Sequence, residues 1–281
     1  MWLLRLRSIL VATDLGPSSG PALRTAARLA PLAGAELHLL HAADSVIANG
    51  AGRLREQLRL AADDAPEASS VRVSSGDPAA AILERAGQVA ADAIILGPHR
   101  RPDAGGEMGS TAAAVVRGAR CPCLVAATEL RLPLERVTVP IDLSEVAEGA
   151  LSVALSWASA LRPRNGTAAV VALHVAFDSD PAIMEAVCDE VARARERVGG
   201  SAQVEIREVI APGRDPAAEI LLHLREEGGD LVVMGTRRAD AAVSGLGSVS
   251  AAVARATTRP LLLVPPATWA PRTAPPPSSA T

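Results

Sequence analysis

The chain has 281 residues, enough for one large unit or two of ordinary size that each bury a core, and its 49% hydrophobic and 21% charged residues are a globular balance. A formal net charge of −3 argues against a general nucleic-acid binder, and one Phe, three Trp and no Tyr leave few rings for bases to stack on. Three Cys make no disulfide framework and no apolar stretch is long enough to cross a bilayer, so a soluble, cytoplasmic protein is expected, with neither membrane nor nucleic acid as partner.

The N-terminal run is broken by Arg5 and Arg7 and carries no small-residue cleavage pattern, so no signal peptide is expected. Ser8–Thr13, SILVAT, is a short apolar run that ends at Asp14 and reads as a buried parallel strand. Ser18 or Ser19 is expected to cap a helix over Pro21–Leu32, with Ala22, Ala26, Leu29 and Ala30 on one face and Gly34 as its stop. Ala35–His41 is a second strand, a helical stretch lies near Arg53–Ala62, and Val71–Ser74 is a short third strand. Asp77 caps the next helix, with Pro78 in its first turn. Ala93–Leu96 is a fourth strand, followed by a glycine loop from Gly97, a helix from Gly109 to about Val116, and a fifth strand at Cys123–Ala127. Cys121 and Cys123 flank a proline, and with no second Cys/His pair to complete a tetrahedral metal site they read as small apolar residues; Cys188 reads as core.

The series then begins again. Arg136–Ile141 ends at Asp142 as the first strand ended at Asp14, and Ser144–Leu161 is a helix. Ala168–Ala176 is a strand whose LHVA echoes LLHA at Leu39–Ala42. Pro181–Val198 is a charged amphipathic helix, Gln203–Val209 alternates as a strand, and Asp215-Pro216 repeats Asp77-Pro78. Leu231–Met234, a glycine loop, a helix and the strand Leu261–Val264 complete the copy. Three landmarks share one offset of 138 residues (215 − 77, 235 − 97, 247 − 109). The chain is therefore a tandem repeat, residues 1–131 and 132–266, joined near Leu130–Pro133. The Pro-, Ser- and Ala-rich stretch from Pro265 is expected to be a tail, disordered over 267–281. Alternating strands and helices make each repeat an α/β, doubly wound unit on a mostly parallel sheet.

In such sheets ligands bind beyond the carboxyl ends of the strands, at the point where strand order reverses. Two repeated features lie at strand ends: the Asp after the first strand and the glycine loop after the fourth. A carboxylate suits a ribose hydroxyl or an adenine amino group, and the free N–H groups of a helix start suit phosphate. The candidate nucleotide residues are Asp142, Ser144, Gly235, Arg238, Gly247 and Ser248 in the second repeat, and Asp14, Gly97, Gly109 and Ser110 in the first. His41 and His174 end their second strands and read as structural, His99 and His223 have no paired partner at ligand spacing, and neither a Ser-His-Asp arrangement nor a GKS/GKT phosphate loop is present. No catalytic or metal-ligating residue is assigned.

These residues resemble the universal stress protein family in its tandem form. VPIDLS at Val139–Ser144, G-x-DPAAEI at Gly213–Ile220, VVMGTRR at Val232–Arg238 and GSVSAAVARATTRPLLLVP at Gly247–Pro265 carry the likeness with their first-half partners, from about Ser8 to Pro265. The resemblance implies a five-stranded parallel sheet of order 3-2-1-4-5 in each repeat. It also implies pairing of the two fifth strands, Cys123–Ala127 and Leu261–Val264, as a pseudo-dimer within the chain. In the family pattern Gly-x2-Gly-x9-Gly-Ser/Thr holds ATP, and Val175 resembles the position whose backbone meets adenine. The match is imperfect. Arg238 and Arg100 replace the second glycine, and each loop is one residue short, twelve steps instead of thirteen (247 − 235, 109 − 97). Pro98 removes an N–H from the first loop, which also carries Gly105 and Gly106, and Gly16 stands where the second repeat has Ser144.

Three functions compete. The first is a stress-response module that binds ATP, with Mg2+, or a related adenine nucleotide, mainly in the second repeat, and signals to a protein partner. The second is a structural or regulatory dimerisation protein whose loops are connectors. The third is a slow ATP hydrolase, for which no motif supplies a general base. The first leads, because Asp142, Ser144, Gly235 and Gly247-Ser248 occur together.

Overall fold

Each short apolar run forms a strand covered on both faces, and each amphipathic run forms a helix that covers it. The computed structural model describes residues 6–43, 49–98, 108–177, 180–199, 203–236 and 246–268. In the first half β1 (Ser8–Ala12), β2 (Glu36–Ala43), β3 (Ser70–Ser75), β4 (Ala93–Leu96) and β5 (Cys123–Val125) alternate with α1 (Gly20–Ala33), α2 (Gly50–Ala61), α3 (Pro78–Gln88) and α4 (Ser110–Gly118). In the second, β6 (Arg136–Ile141), β7 (Ala168–Ala176), β8 (Val204–Pro212), β9 (Leu231–Gly235) and β10 (Leu261–Val264) alternate with α5 (Glu145–Leu161), α6 (Pro181–Val198), α7 (Pro216–Glu226) and α8 (Ser248–Ala256). Among the described residues no helix is long and apolar enough to cross a membrane.

The two halves share one ten-stranded sheet, ordered β3-β2-β1-β4-β5-β10-β9-β6-β7-β8. Each half keeps the 3-2-1-4-5 order with parallel neighbours. The halves join where β5 and β10 pair antiparallel, Leu124 opposite Leu262, with Cys123 and Val125 opposite Leu263 and Leu261. Leu124 and Leu262 are equivalent in the repeat, so the pseudo-twofold passes between them. Alternation along the strands sends Ile9, Val11, Leu124, Val137, Val139 and Leu262 to a core under α1, α2, α5 and α6. Leu10, Ala12, Cys123, Val232 and Leu263 point to a second core under α3, α4, α7 and α8. Both cores run through the two halves, and covering both faces explains why the strands read as continuous apolar runs.

Several local expectations are corrected. Ser19 holds the N-cap position of α1 without capping it; its hydroxyl donates instead to Asp14 Oδ1 at 2.5 Å. The helix near Arg53–Ala62 starts at Gly50, and β8 runs on to Pro212 because β7 pairs with it to the end. Strand β5 stops at Val125, beyond which the pairing with β10 is over. Cys188 is exposed, since the buried stripe of α6 is Val187, Glu190, Val191 and Ala194, and residue 188 falls beside it. Residues 266–268 of the expected tail form a 3-10 turn, and 269–281 lie outside the described residues. Asp77, Asp180 and Asp215 do cap their helices, Asp215 Oδ1 accepting from the N–H of Ala217 at 3.0 Å and of Ala218 at 3.3 Å.

One repeated pair escaped the sequence reading. Asp92 Oδ2 accepts the N–H of Arg7 and Ser8 at 2.8 and 3.1 Å, and Asp230 Oδ2 accepts those of Glu135 and Arg136 at 2.8 and 3.0 Å. Each carboxylate ties the start of the central strand (β1, β6) to the start of its neighbour (β4, β9), which aligns the far ends of the two strands. Asp230 is buried, so Asp230→Ala is expected to cost about 2 kcal/mol in urea unfolding, the worth of its charge-assisted bonds. A loss below about 0.5 kcal/mol would remove this role.

Candidate functional site

The chain order reverses between β1 and β4 in one half and between β6 and β9 in the other, and each reversal opens a cleft at the strands' carboxyl ends. Asp14 and Asp142 stand there, each followed by a leucine in the left-handed region, Leu15 at φ 62° and Leu143 at φ 61°. Asp142 Oδ1 accepts the N–H of Ser144 at 3.3 Å and its hydroxyl at 2.5 Å, and Ser144 Oγ in turn caps α5 by accepting the N–H of Ala147 at 3.3 Å. Asp14 Oδ1 takes the N–H of Gly16 at 2.8 Å and the hydroxyl of Ser19. Both carboxylates therefore close their own turns through one oxygen.

The histidines brace these turns. His41 Nδ1 lies 2.8 Å from the carbonyl of Thr13, and His174 Nδ1 lies 3.0 Å from that of Ile141. The carbonyl accepts, so Nδ1 carries the proton. Both histidines sit two residues inside the ends of their strands and fix the residue just before each Asp.

Behind the turns the halves differ. In the first, the Thr13 hydroxyl donates to Gln57 Oε1 at 3.2 Å, the Gln57 amide donates to the Leu15 carbonyl at 2.9 Å, and the Leu15 N–H donates to Thr13 Oγ1 at 3.0 Å. The same 133-residue step separates Gln57 from Glu190 and His41 from His174 (190 − 57, 174 − 41). Glu190 is 1% exposed and neither carboxylate oxygen has a hydrogen-bond partner. Burial pushes its carboxyl up to about 7, with Asp142 and Glu148 adding to the rise and Arg193 opposing it. Glu148, by contrast, is paired with Arg193 at 3.1 Å and with Arg197.

The second cleft is a cavity of about 190 Å³ between Asp142, His174 and Val175 on one side and Gly235, Val249 and Ser250 on the other. Leu173, Ile220 and Met234 give it an apolar floor, and Val146, Ala147 and Pro216 border it. The first cleft, about 160 Å³, is lined by Asp14, Ser18, Ser19, Ala42, Gly97 and Thr111 among others. Of the residues singled out in sequence, Asp142, Val175 and Gly235 meet at the second cavity, and Asp14 and Gly97 at the first. Ser144 lies behind Asp142 as the cap of α5. Gly247 and Gly109 are the N-cap positions, and Ser248 and Ser110 the first residues, of α8 and α4. Arg238, Arg100, His99, Gly105 and Gly106 lie outside the described residues. Sequence reasoning missed Val249, Ser250, Ile220 and Met234; their signal was position, one turn into a helix or one residue before the strand's last.

The glycines have two different physical causes. A Cβ at Gly235 would stand 2.4 Å from Val146 Cγ1 and 2.8 Å from the Val146 carbonyl oxygen, and one at Gly97 would stand 2.9 Å from the Ser18 carbonyl oxygen. Gly235 lets the end of β9 approach the first turn of α5, and Gly97 lets the chain leaving β4 approach the turn that precedes α1. Substituting either therefore strains the packing, so such variants do not isolate ligand binding. Gly247 instead adopts φ 79°, ψ 149°, a conformation that side chains resist, whereas Gly109 at φ −54° needs no such freedom. Among the described residues neither α4 nor α8 receives a side-chain cap at its N-terminus, and Val249 and Ser250 in the first turn of α8 border the cavity.

The profile of the universal stress protein family matches residues 5–127 and again residues 133–265. No curated protein sequence matches the chain. Among solved structures, a universal stress protein from Archaeoglobus fulgidus matches with a TM-score of 0.67 at 19% identity, over 93% of this chain and 99% of its own. A functionally unknown protein from Pseudomonas aeruginosa matches with a TM-score of 0.69 at 19% identity, over 94% of each chain. A universal stress protein described in complex with cAMP is 25% identical over 47% of this chain and 97% of its own, with a TM-score of 0.36.

Proposed function

Since the chain belongs to the universal stress protein family, in tandem, we propose that its second half binds an adenine nucleotide and acts as a regulatory module rather than as a catalyst. The observation that carries this reading is the composition of the second cavity. An exposed carboxylate, Asp142, faces the uncapped start of α8 across an apolar floor. Leu173, Val175 and Met234 suit a base, Asp142 suits ribose hydroxyls, and the first turn of α8 suits phosphate. The cavity is smaller than the about 300 Å³ at which small-molecule pockets usually begin. Base and ribose would fill it, and the phosphates of ATP, with their Mg2+, would run outward past the first turn of α8. The proton-transfer groups in the lining are Asp142 and His174, and both already hold turns, which supports binding over hydrolysis. The nucleotide's presence would be read by a protein partner in the cytoplasm, where the three cysteines, none of them in a disulfide, would stay reduced.

The structural reading has one observation in its favour: Gly97 and Gly235 are explained by packing alone. Titration calorimetry with AMP, ADP and ATP, with and without Mg2+, separates the two. Wild type is expected to bind, and Asp142→Asn, which keeps an oxygen for the turn but loses the charge, is expected to bind at least tenfold more weakly. No heat and no thermal shift at millimolar nucleotide would favour the structural reading.

A further inference from the structure

Phe177 is the chain's single phenylalanine, follows the last residue of β7, and is 60% exposed. Arg214, also exposed, lies over its ring with Cζ 3.9 Å from the centroid. The backbone sets up this pair. The Gly213 N–H donates to the Ala176 carbonyl at 3.0 Å, and Ala176 is paired with Pro212 at the end of the β7–β8 ladder. The loop carrying Arg214 is thereby fixed against the end of β7. Val175, two residues before Phe177, and Pro216, two residues after Arg214, both line the second cavity. Neither member of the stacked pair lines the cavity itself; the pair flanks the edge formed by Val175 and Pro216. The first half has no equivalent: Gly76 is followed directly by Asp77, and the 133-residue step puts Asp44 where Phe177 stands (177 − 133).

We infer that Phe177 and Arg214 form a stacking platform for the nucleobase of the second-cleft ligand, and so favour base-bearing nucleotides over bare sugar phosphates. The inference rests on the nucleotide reading above. An aromatic ring and a guanidinium plane are the two protein surfaces on which bases stack, and here one lies on the other, two residues beyond Val175, beside which the base is proposed to sit. A purely structural pair would hold the loop and leave the ligand's base unfelt.

The test is calorimetric titration of AMP and of ribose 5-phosphate into the full chain. Wild type should bind AMP more tightly. Phe177→Ala should weaken AMP about tenfold and leave ribose 5-phosphate unchanged, Arg214→Ala should act in the same direction, and Phe177→Trp should restore AMP. Phe177 is mostly exposed, so its alanine variant should keep the wild-type circular dichroism. Unchanged AMP affinity in Phe177→Ala, or equal loss of both ligands, would overturn the platform alone. Failure of wild type to bind AMP would overturn the nucleotide reading and the platform with it.

Discussion

Glu190→Gln is expected to stabilise the protein by up to about 3.5 kcal/mol at pH 8 and by far less at pH 4.5. The folded protein holds the Glu190 proton up to about pH 7, because the carboxyl is buried and faces the charge of Asp142, while the unfolded chain releases it near the ordinary value of 4.5. Below 4.5 both states carry the proton and its contribution is fully present. Between 4.5 and 7 folding takes up a proton, so each rise in pH costs stability, and above 7 the full cost of ionising a buried group is felt. About 2.5 pH units at about 1.4 kcal/mol each set the upper figure. Glutamine cannot ionise, and the first half already uses one in the matching place: Gln57 holds the Leu15 carbonyl. Urea unfolding of wild type and variant at pH 4.5, 6 and 8 checks this. The gap between them should open with pH, and a gap that stays flat would mean that Glu190 does not titrate as its burial demands.

Leu262→Ala is expected to cost about 3 kcal/mol, within the 2–5 kcal/mol usual for a buried leucine, and to loosen both halves. Leu262 and Leu124 are fully buried, sit opposite each other across the antiparallel junction, and belong to the core shared by α1 and α5. Removing one leaves a cavity beside its equivalent in the other half. Hydrogen exchange should therefore show lost protection in β4 and β5 as well as in β9 and β10. Since the pair is in contact, Leu124→Ala and Leu262→Ala together should cost a different amount from the sum of the two. Protection lost only in β9 and β10 would mean that the halves unfold independently.

The sheet was readable from sequence because its grammar is local. Short runs covered on both faces, such as Ile9–Val11 and Val137–Val139, read as strands, and Asp-Pro pairs mark helix starts. The constant offset of 138 then made the repeat plain, although the strand order and the junction between β5 and β10 came from the family resemblance. The site was less legible, because its causes are not local. Gly235 looks like a ligand glycine until Val146, 89 residues earlier, is found against it (235 − 146). Glu190 reads as one more charge on a charged helix, and only the packing of α6 onto α5 and the sheet buries it. Arg214 is an extra residue between Gly213 and Asp215 where Gly76 meets Asp77 directly, but its partner Phe177 lies in another loop. Asp92 and Asp230 share the repeat's own offset, but they precede strands instead of ending them, where no strand-end pattern marks them.

The most direct measurement is a crystal structure of the full chain grown with AMP or with ATP and Mg2+. One nucleotide per chain is expected, in the second cleft, with a ribose hydroxyl on Asp142, the base beside Val175 against Phe177, and phosphate at the start of α8. Both clefts empty at millimolar nucleotide, or a nucleotide held only at Asp14 in the first, would contradict the assignment.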